Sequence, residues 1–180
     1  WVRRAAQQYG KDGHHDRGIF SIYWFNIVHL RPGQGIFQDA GIPHAYLEGV
    51  CVELMANSDN VLRGGLTPKH IDVPELLDKT DCSAVVPDLL TPVMQFGGWR
   101  RYATPAPDFS LSVGDAKAGD YLTVDTTEGP VILLLLRGGV TGPNGLQLSE
   151  TARTVLVPAY RQFTMQVLED TTLYLAEVGG

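Results

Sequence analysis

The sequence predicts a mainly β fold of sandwich or barrel type, and three observations predict it. Short apolar stretches with period-two alternation recur through the second half, as in Phe109-Leu111-Val113 and Phe163-Met165-Val167. Gly-Asp, Gly-Gly and Pro-Asn-Gly turns separate these stretches at short spacing. Helix start signals are confined to one short segment, Asp72-Val73-Pro74-Glu75, where Asp72 can cap and Pro74 fits the first turn.

Composition narrows the class further. With 180 residues, 44% hydrophobic and 19% charged, the chain is long enough for a substantial core and far from the disordered range. A net charge of −6 argues against nonspecific nucleic-acid binding. The longest apolar run, Val131 to Leu136, is far short of the roughly 20 residues of a membrane-spanning helix. Two cysteines, Cys51 and Cys82, give no disulfide framework and suit a reducing, cytoplasmic setting.

Taken in order, the opening WVRRAAQQYG has the pattern of a helix ending at Gly10 and carries no initiator Met. The chain is therefore expected to be the C-terminal part of a longer protein. Lys11 to Gly18 is a polar loop. Ile19 to Leu30 is rich in aromatic and β-branched residues; Phe20, Ile22, Trp24, Val28 and Leu30 share one parity, which predicts a core-facing strand. Further strands are expected at Gly35–Asp39 and Val50–Asn57, with turns at Ser58-Asp59-Asn60 and Gly64-Gly65. A short helix follows to Lys79. Residues 80–107 are expected as an extended, Pro-containing connector. Beyond it come strands at Tyr121–Asp125, Val131–Leu136, Val155–Val157, Phe163–Val167 and Leu173–Val178.

The stretch from Ala40 to Asp72 carries the chemistry. His44 follows Gly41-Ile42-Pro43, a corner that would hold an imidazole rigidly. Lone histidines are more often structural than metal-bound, and a zinc site needs three or four protein ligands. His14 and His15 have the look of solvated loop residues, and His29 and His70 have no supporting pattern. Glu53 points away from Val52 and Leu54, toward a barrel cavity or toward solvent. Arg63, before Gly64-Gly65, suits bidentate binding of an oxyanion or phosphate. Lys69 adds a second cation six residues on.

PHAYLEG (Pro43 to Gly49), VELMANSDNVLRGGLTPKHIDV (Val52 to Val73) and FNIVHLRPGQGIF (Phe25 to Phe37) together resemble the type I mannose-6-phosphate isomerases, a zinc-dependent cupin family. The resemblance runs nearly continuously from Gly18 through Leu77. It implies jelly-roll β-barrels, with 1–79 as the C-terminal part of a catalytic zinc cupin and 108–180 as a second, metal-free one. It places His44 on a zinc ligand, Glu53 and Arg63 on catalytic positions, Lys69 in the substrate pocket and Tyr46 beside the metal. The implied reaction is aldose–ketose interconversion of mannose 6-phosphate and fructose 6-phosphate. The family's other zinc ligands, a glutamine, a histidine and a glutamate, have no counterpart here and are expected from an N-terminal half.

Three rivals remain at this stage. A non-catalytic cupin binding a sugar phosphate would keep the fold but not the full set His44, Glu53, Arg63 and Lys69. A different metal-cupin enzyme would carry the HxH…E motif, which is absent. A β-sandwich interaction module would leave the Asp59-to-Lys69 pattern without a purpose.

Overall fold

The computed structural model describes residues 1–58 and 60–179; the expected turn position Asp59 lies outside them. The protein is 33% strand and 16% helix, with antiparallel sheets. Two compact units share the chain in an interleaved way. The first comprises 1–29, 37–51 and 57–88, the second 30–36, 52–56 and 89–180.

The first unit is built from three short helices and the turns between them. Helix α1 (Val2–Tyr9) ends where Gly10 donates its N–H to the Ala6 carbonyl at 3.0 Å, and it buries Ala5. Helix α2 (Ser21–Trp24) continues a 3-10 turn at Arg17–Phe20. This overturns the expected strand over Ile19–Leu30. Phe20 and Trp24 share parity, but they are also four residues apart. On a helix that spacing puts them on one face, and their rings stack at 5.8 Å. The alternation was compatible with both periods over so short a run. Helix α3 (Val73–Lys79) starts as expected, with the Asp72 carboxylate accepting from the Glu75 N–H at 3.1 Å.

The second unit is mainly β. Strand β1 (Gly35–Ile36) pairs antiparallel with β2 (Leu89–Leu90), so the expected strand over Gly35–Asp39 is only two residues long. Residues Val50–Asn57, also expected as a strand, form none. Within this run Val52 and Leu54 are half-buried and Glu53 and Met55 exposed. Alternation is thus present, but a strand also needs a neighbour for its N–H and C=O groups.

Residues 80–107 are not uniformly extended. They contain β2, then β3 (Val93–Met94), a 3-10 turn at Phe96–Gly98, and β4 (Arg100–Arg101). The main sheet adds β5 (Phe109–Ala116), β6 (Tyr121–Asp125), β7 (Val131–Thr141), β8 (Gln147–Leu148), β9 (Thr154–Val157) and β10 (Gln162–Val178).

Strand β10 is its spine. Residues 162–166 pair with β6, residues 171–178 with β5, and residues within 166–177 with β7. Two strands were expected here, separated by Leu168 to Thr172. The break is instead a set of register shifts inside one strand. Opposite it, Gly138 takes φ +87°, and the Thr171 hydroxyl accepts from the Gly139 N–H at 3.0 Å. The bend lets β10 and β7 serve two sets of partners: β5 and β9 (with β4 and β3 extending the sheet beyond β5) and, in the second set, β6 and β8. Between them lies a core of Leu122, Val124, Leu133, Leu135, Val140, Leu148, Met165, Val167, Leu173 and Leu175. Each comes from the inward parity of its strand.

Candidate functional site

Four of the five expected site residues, His44, Tyr46, Arg63 and Lys69, belong to the first unit, and Glu53 to the 52–56 segment of the second.

The His44 corner is built by local hydrogen bonds. Asp39 Oδ1 accepts from the Ala40 N–H at 2.9 Å, and Gly41 turns the chain at φ +80°. A Cβ on Gly41 would lie 2.9 Å from the Lys79 carbonyl oxygen, so only glycine fits against the end of α3. The Gly41 carbonyl accepts from the Asp81 N–H at 2.9 Å, pinning the corner to that helix end. The Asp81 carboxyl is itself held below its usual range by hydrogen bonds from the Ser83 side chain and backbone.

His44 is exposed, and its Nδ1 lies 3.0 Å from the Ile42 carbonyl oxygen. A carbonyl only accepts, so Nδ1 carries the proton and Nε2 presents its lone pair. That is the tautomer in which histidine ligates a metal through Nε2. Tyr46 stands edge-on to this ring, with centroids 6.0 Å apart and planes at 72°. The two residues therefore share one exposed corner.

One imidazole is not a zinc site. Among the described residues no group of three or more His, Cys, Asp or Glu side chains is arranged to hold a metal. His14, His15, His29 and His70 are all exposed.

Arg63 and Lys69 sit on one continuous turn system. Asn60 donates its N–H to Ser58 Oγ at 3.1 Å, Arg63 Nη1 reaches the Val61 carbonyl at 3.4 Å, and Lys69 donates its N–H to Thr67 Oγ1 at 3.2 Å. Side chains that bond their own backbone two residues away are what hold such turns. Arg63 is half-buried and Lys69 exposed. Glu53 is exposed.

One residue that sequence reasoning passed over takes part in this framework. Asp16, placed in a polar loop, accepts from the Gly18 N–H at 2.7 Å and from the Leu66 N–H at 3.0 Å. The Asp-x-Gly spacing signalled a local turn. Its partner 50 residues away left no trace in the local pattern.

Mainly antiparallel β architecture around an apolar core is that of a cupin-type protein. More narrowly, the chain is a relative of the mannose-6-phosphate isomerases and matches their C-terminal part. It is 42% identical over 137 residues to mannose-6-phosphate isomerase of Escherichia coli K12, covering 74% of this chain and 34% of that protein. With mannose-6-phosphate isomerase 1 of Arabidopsis thaliana it is 31% identical, over 99% of this chain and 41% of the relative. The Salmonella typhimurium enzyme, solved bound to its substrate fructose 6-phosphate and to zinc, superposes with a TM-score of 0.79 at 30% identity. That superposition covers 99% of this chain and 45% of the other. No family model matches. The chain spans about a third to two-fifths of the length of these curated relatives.

Proposed function

We propose that this chain is the C-terminal part of a zinc-dependent mannose-6-phosphate isomerase. The single observation carrying the proposal is the match, over nearly all of this chain, to an isomerase structure holding fructose 6-phosphate and zinc. In the reaction the C2 proton of the aldose is removed and the C1 oxygen is protonated, giving an enediol. Reprotonation at C1 and loss of the O2 proton give the ketose. Arg63, on its braced turn, stabilises the enediolate charge. Glu53 holds or exchanges protons in the reaction. Lys69 supplies positive potential for the phosphorylated sugar, and Tyr46 contacts substrate beside His44.

His44 is one zinc ligand, and the remaining ligands come from an N-terminal half outside this chain. Support comes from the outward-facing imidazole and from apolar side chains of the first unit that stand exposed, among them Phe20, Trp24 and Val50. In this proposal residues 1–79 belong to the catalytic cupin, residues 108–180 form a second, metal-free one, and the enzyme works in the cytoplasm. For this chain no described helix is long and apolar enough to cross a membrane.

The test is intact mass, zinc content and isomerisation of mannose 6-phosphate on one purified sample. A mass well above 19.7 kDa, about one zinc per molecule and turnover are the expected results. Zinc-free protein that binds the sugar phosphate without converting it would replace this reading with the non-catalytic cupin.

A further inference from the structure

We propose that Asp16 is a positioning residue that sets the geometry of the Arg63–Lys69 turn, an inference that rests on the isomerase reading. Each oxygen of its carboxylate is committed to a different backbone group. Oδ1 accepts from the Gly18 N–H at 2.7 Å and Oδ2 from the Leu66 N–H at 3.0 Å. Hydrogen bonds to an ionised acceptor are the stronger kind, and here they join two loops 50 residues apart in sequence.

The second loop needs such a brace. Leu66 has φ +49° and Gly65 φ +132°. A leucine in the left-handed region is costly and persists only where its surroundings impose it. The surroundings are unusually close. A Cβ on Gly18 would lie 2.8 Å from the Gly65 Cα and 2.9 Å from the Leu66 nitrogen. A Cβ on Gly65 would lie 2.6 Å from the Gly18 Cα. The two backbones touch because both residues are glycine, and that contact brings the Leu66 N–H within reach of Asp16.

The clasp closes two residues after the Gly64 that follows Arg63 and three residues before Lys69. It therefore fixes the backbone between the two cations on which the proposed chemistry depends. Both of its oxygens are engaged by backbone N–H groups, so the role of Asp16 is placement. It acts through the placement of Arg63, where a displacement of about 1 Å is enough to cost roughly 100-fold in rate.

The test uses the complete chain, wild type beside Asp16→Asn and Asp16→Ala. Asn preserves shape but presents an amide where one N–H needs an acceptor, so it remains informative should the alanine variant fail to fold. Two readouts are taken on the same samples: hydrogen exchange at Leu66, and kcat and KM for mannose 6-phosphate. Exchange at least about tenfold faster, together with kcat lower by roughly 10- to 100-fold and KM changed far less, is the expected result. Unchanged exchange overturns the clasp. Faster exchange with unchanged kcat also overturns the proposal, since the clasp would then be structural only. An inactive, zinc-loaded wild type overturns the isomerase reading and the positioning role with it, and the exchange rates distinguish that from failure of the clasp.

Discussion

The second unit closes a continuous apolar core in which Leu133, Leu173 and Met165 are fully buried, whereas in the first unit Trp24 is 78% exposed, Val50 89% and Leu77 75%. One unit is held by packing and strand pairing. The other is held by caps, short turns and a few side-chain-to-backbone bonds, and it carries four of the five candidate site residues. With a packed scaffold in one unit and a locally specified site in the other, damage in each should be read in a different quantity: free energy of unfolding in the second unit, rate in the first.

Two substitutions test this separation most sharply. Leu173→Ala deletes a fully buried side chain on the spine strand and should cost about 2–5 kcal/mol in urea unfolding. Arg63→Ala should lower kcat of the complete enzyme by roughly 10²–10³ while leaving the urea midpoint almost where it was. Leu77→Ala, the same chemical change as the first but on exposed α3, should stay within about 0.5 kcal/mol. A Leu77→Ala cost near that of Leu173→Ala would break the contrast, because something in the complete protein would then cover α3.

The bend between β7 and β10 offers a smaller effect. At Gly138, with φ +87°, a Cβ would meet Thr171 Oγ1 at 2.3 Å and the Asp170 carbonyl at 2.7 Å. Gly13 in the first unit has a similar φ of +78° but nothing within 4 Å of its Cβ position. Gly13→Ala should therefore show only the left-handed backbone cost of about 1 kcal/mol. Gly138→Ala adds overpacking worth about 1–3 kcal/mol more. Equal costs would mean that the bend tolerates a side chain and that the clash is relieved cheaply.

The same division governed what could be read from the sequence. The cap at Asp72, the Gly41 corner before His44 and the strand Tyr121–Asp125 are each specified by neighbours within a few residues, and each stands where expected. The stretch Ile19–Leu30 failed because Phe20 and Trp24 satisfy both a strand and a helix spacing. The double strand expected over 163–178 failed because Glu169 and Asp170 look like a turn, while the bulges that carry β10 through them depend on Gly138 and Thr171 across the sheet. Asp16 was missed for a related reason: its partner Leu66 is remote in sequence. Chemistry bound to a local turn is legible; geometry fixed by a distant backbone is not.

Tyr102 gives the mildest effect and the finest test of the second unit. The ring is buried, and Gly35 packs so closely on it that a Cβ there would come within 3.0 Å. The phenol donates to the Gly33 carbonyl at 3.0 Å, tying the 30–36 segment to the β core. Tyr102→Phe keeps the packing and removes that bond, and should cost about 1 kcal/mol at neutral pH. Burial first, and then neighbouring Tyr174, push the Tyr102 phenol above its ordinary value. A folded-state value above the unfolded one means stability that is fully present below about pH 10 and lost as pH rises beyond it. Wild type should accordingly lose urea stability between pH 9.5 and 11 (a range of roughly one unit about that value) more steeply than Tyr102→Phe, so the gap between them narrows as pH rises. A gap that stays constant would mean that the phenol ionises equally well in both states, and that the 30–36 segment opens to water without the rest of the core.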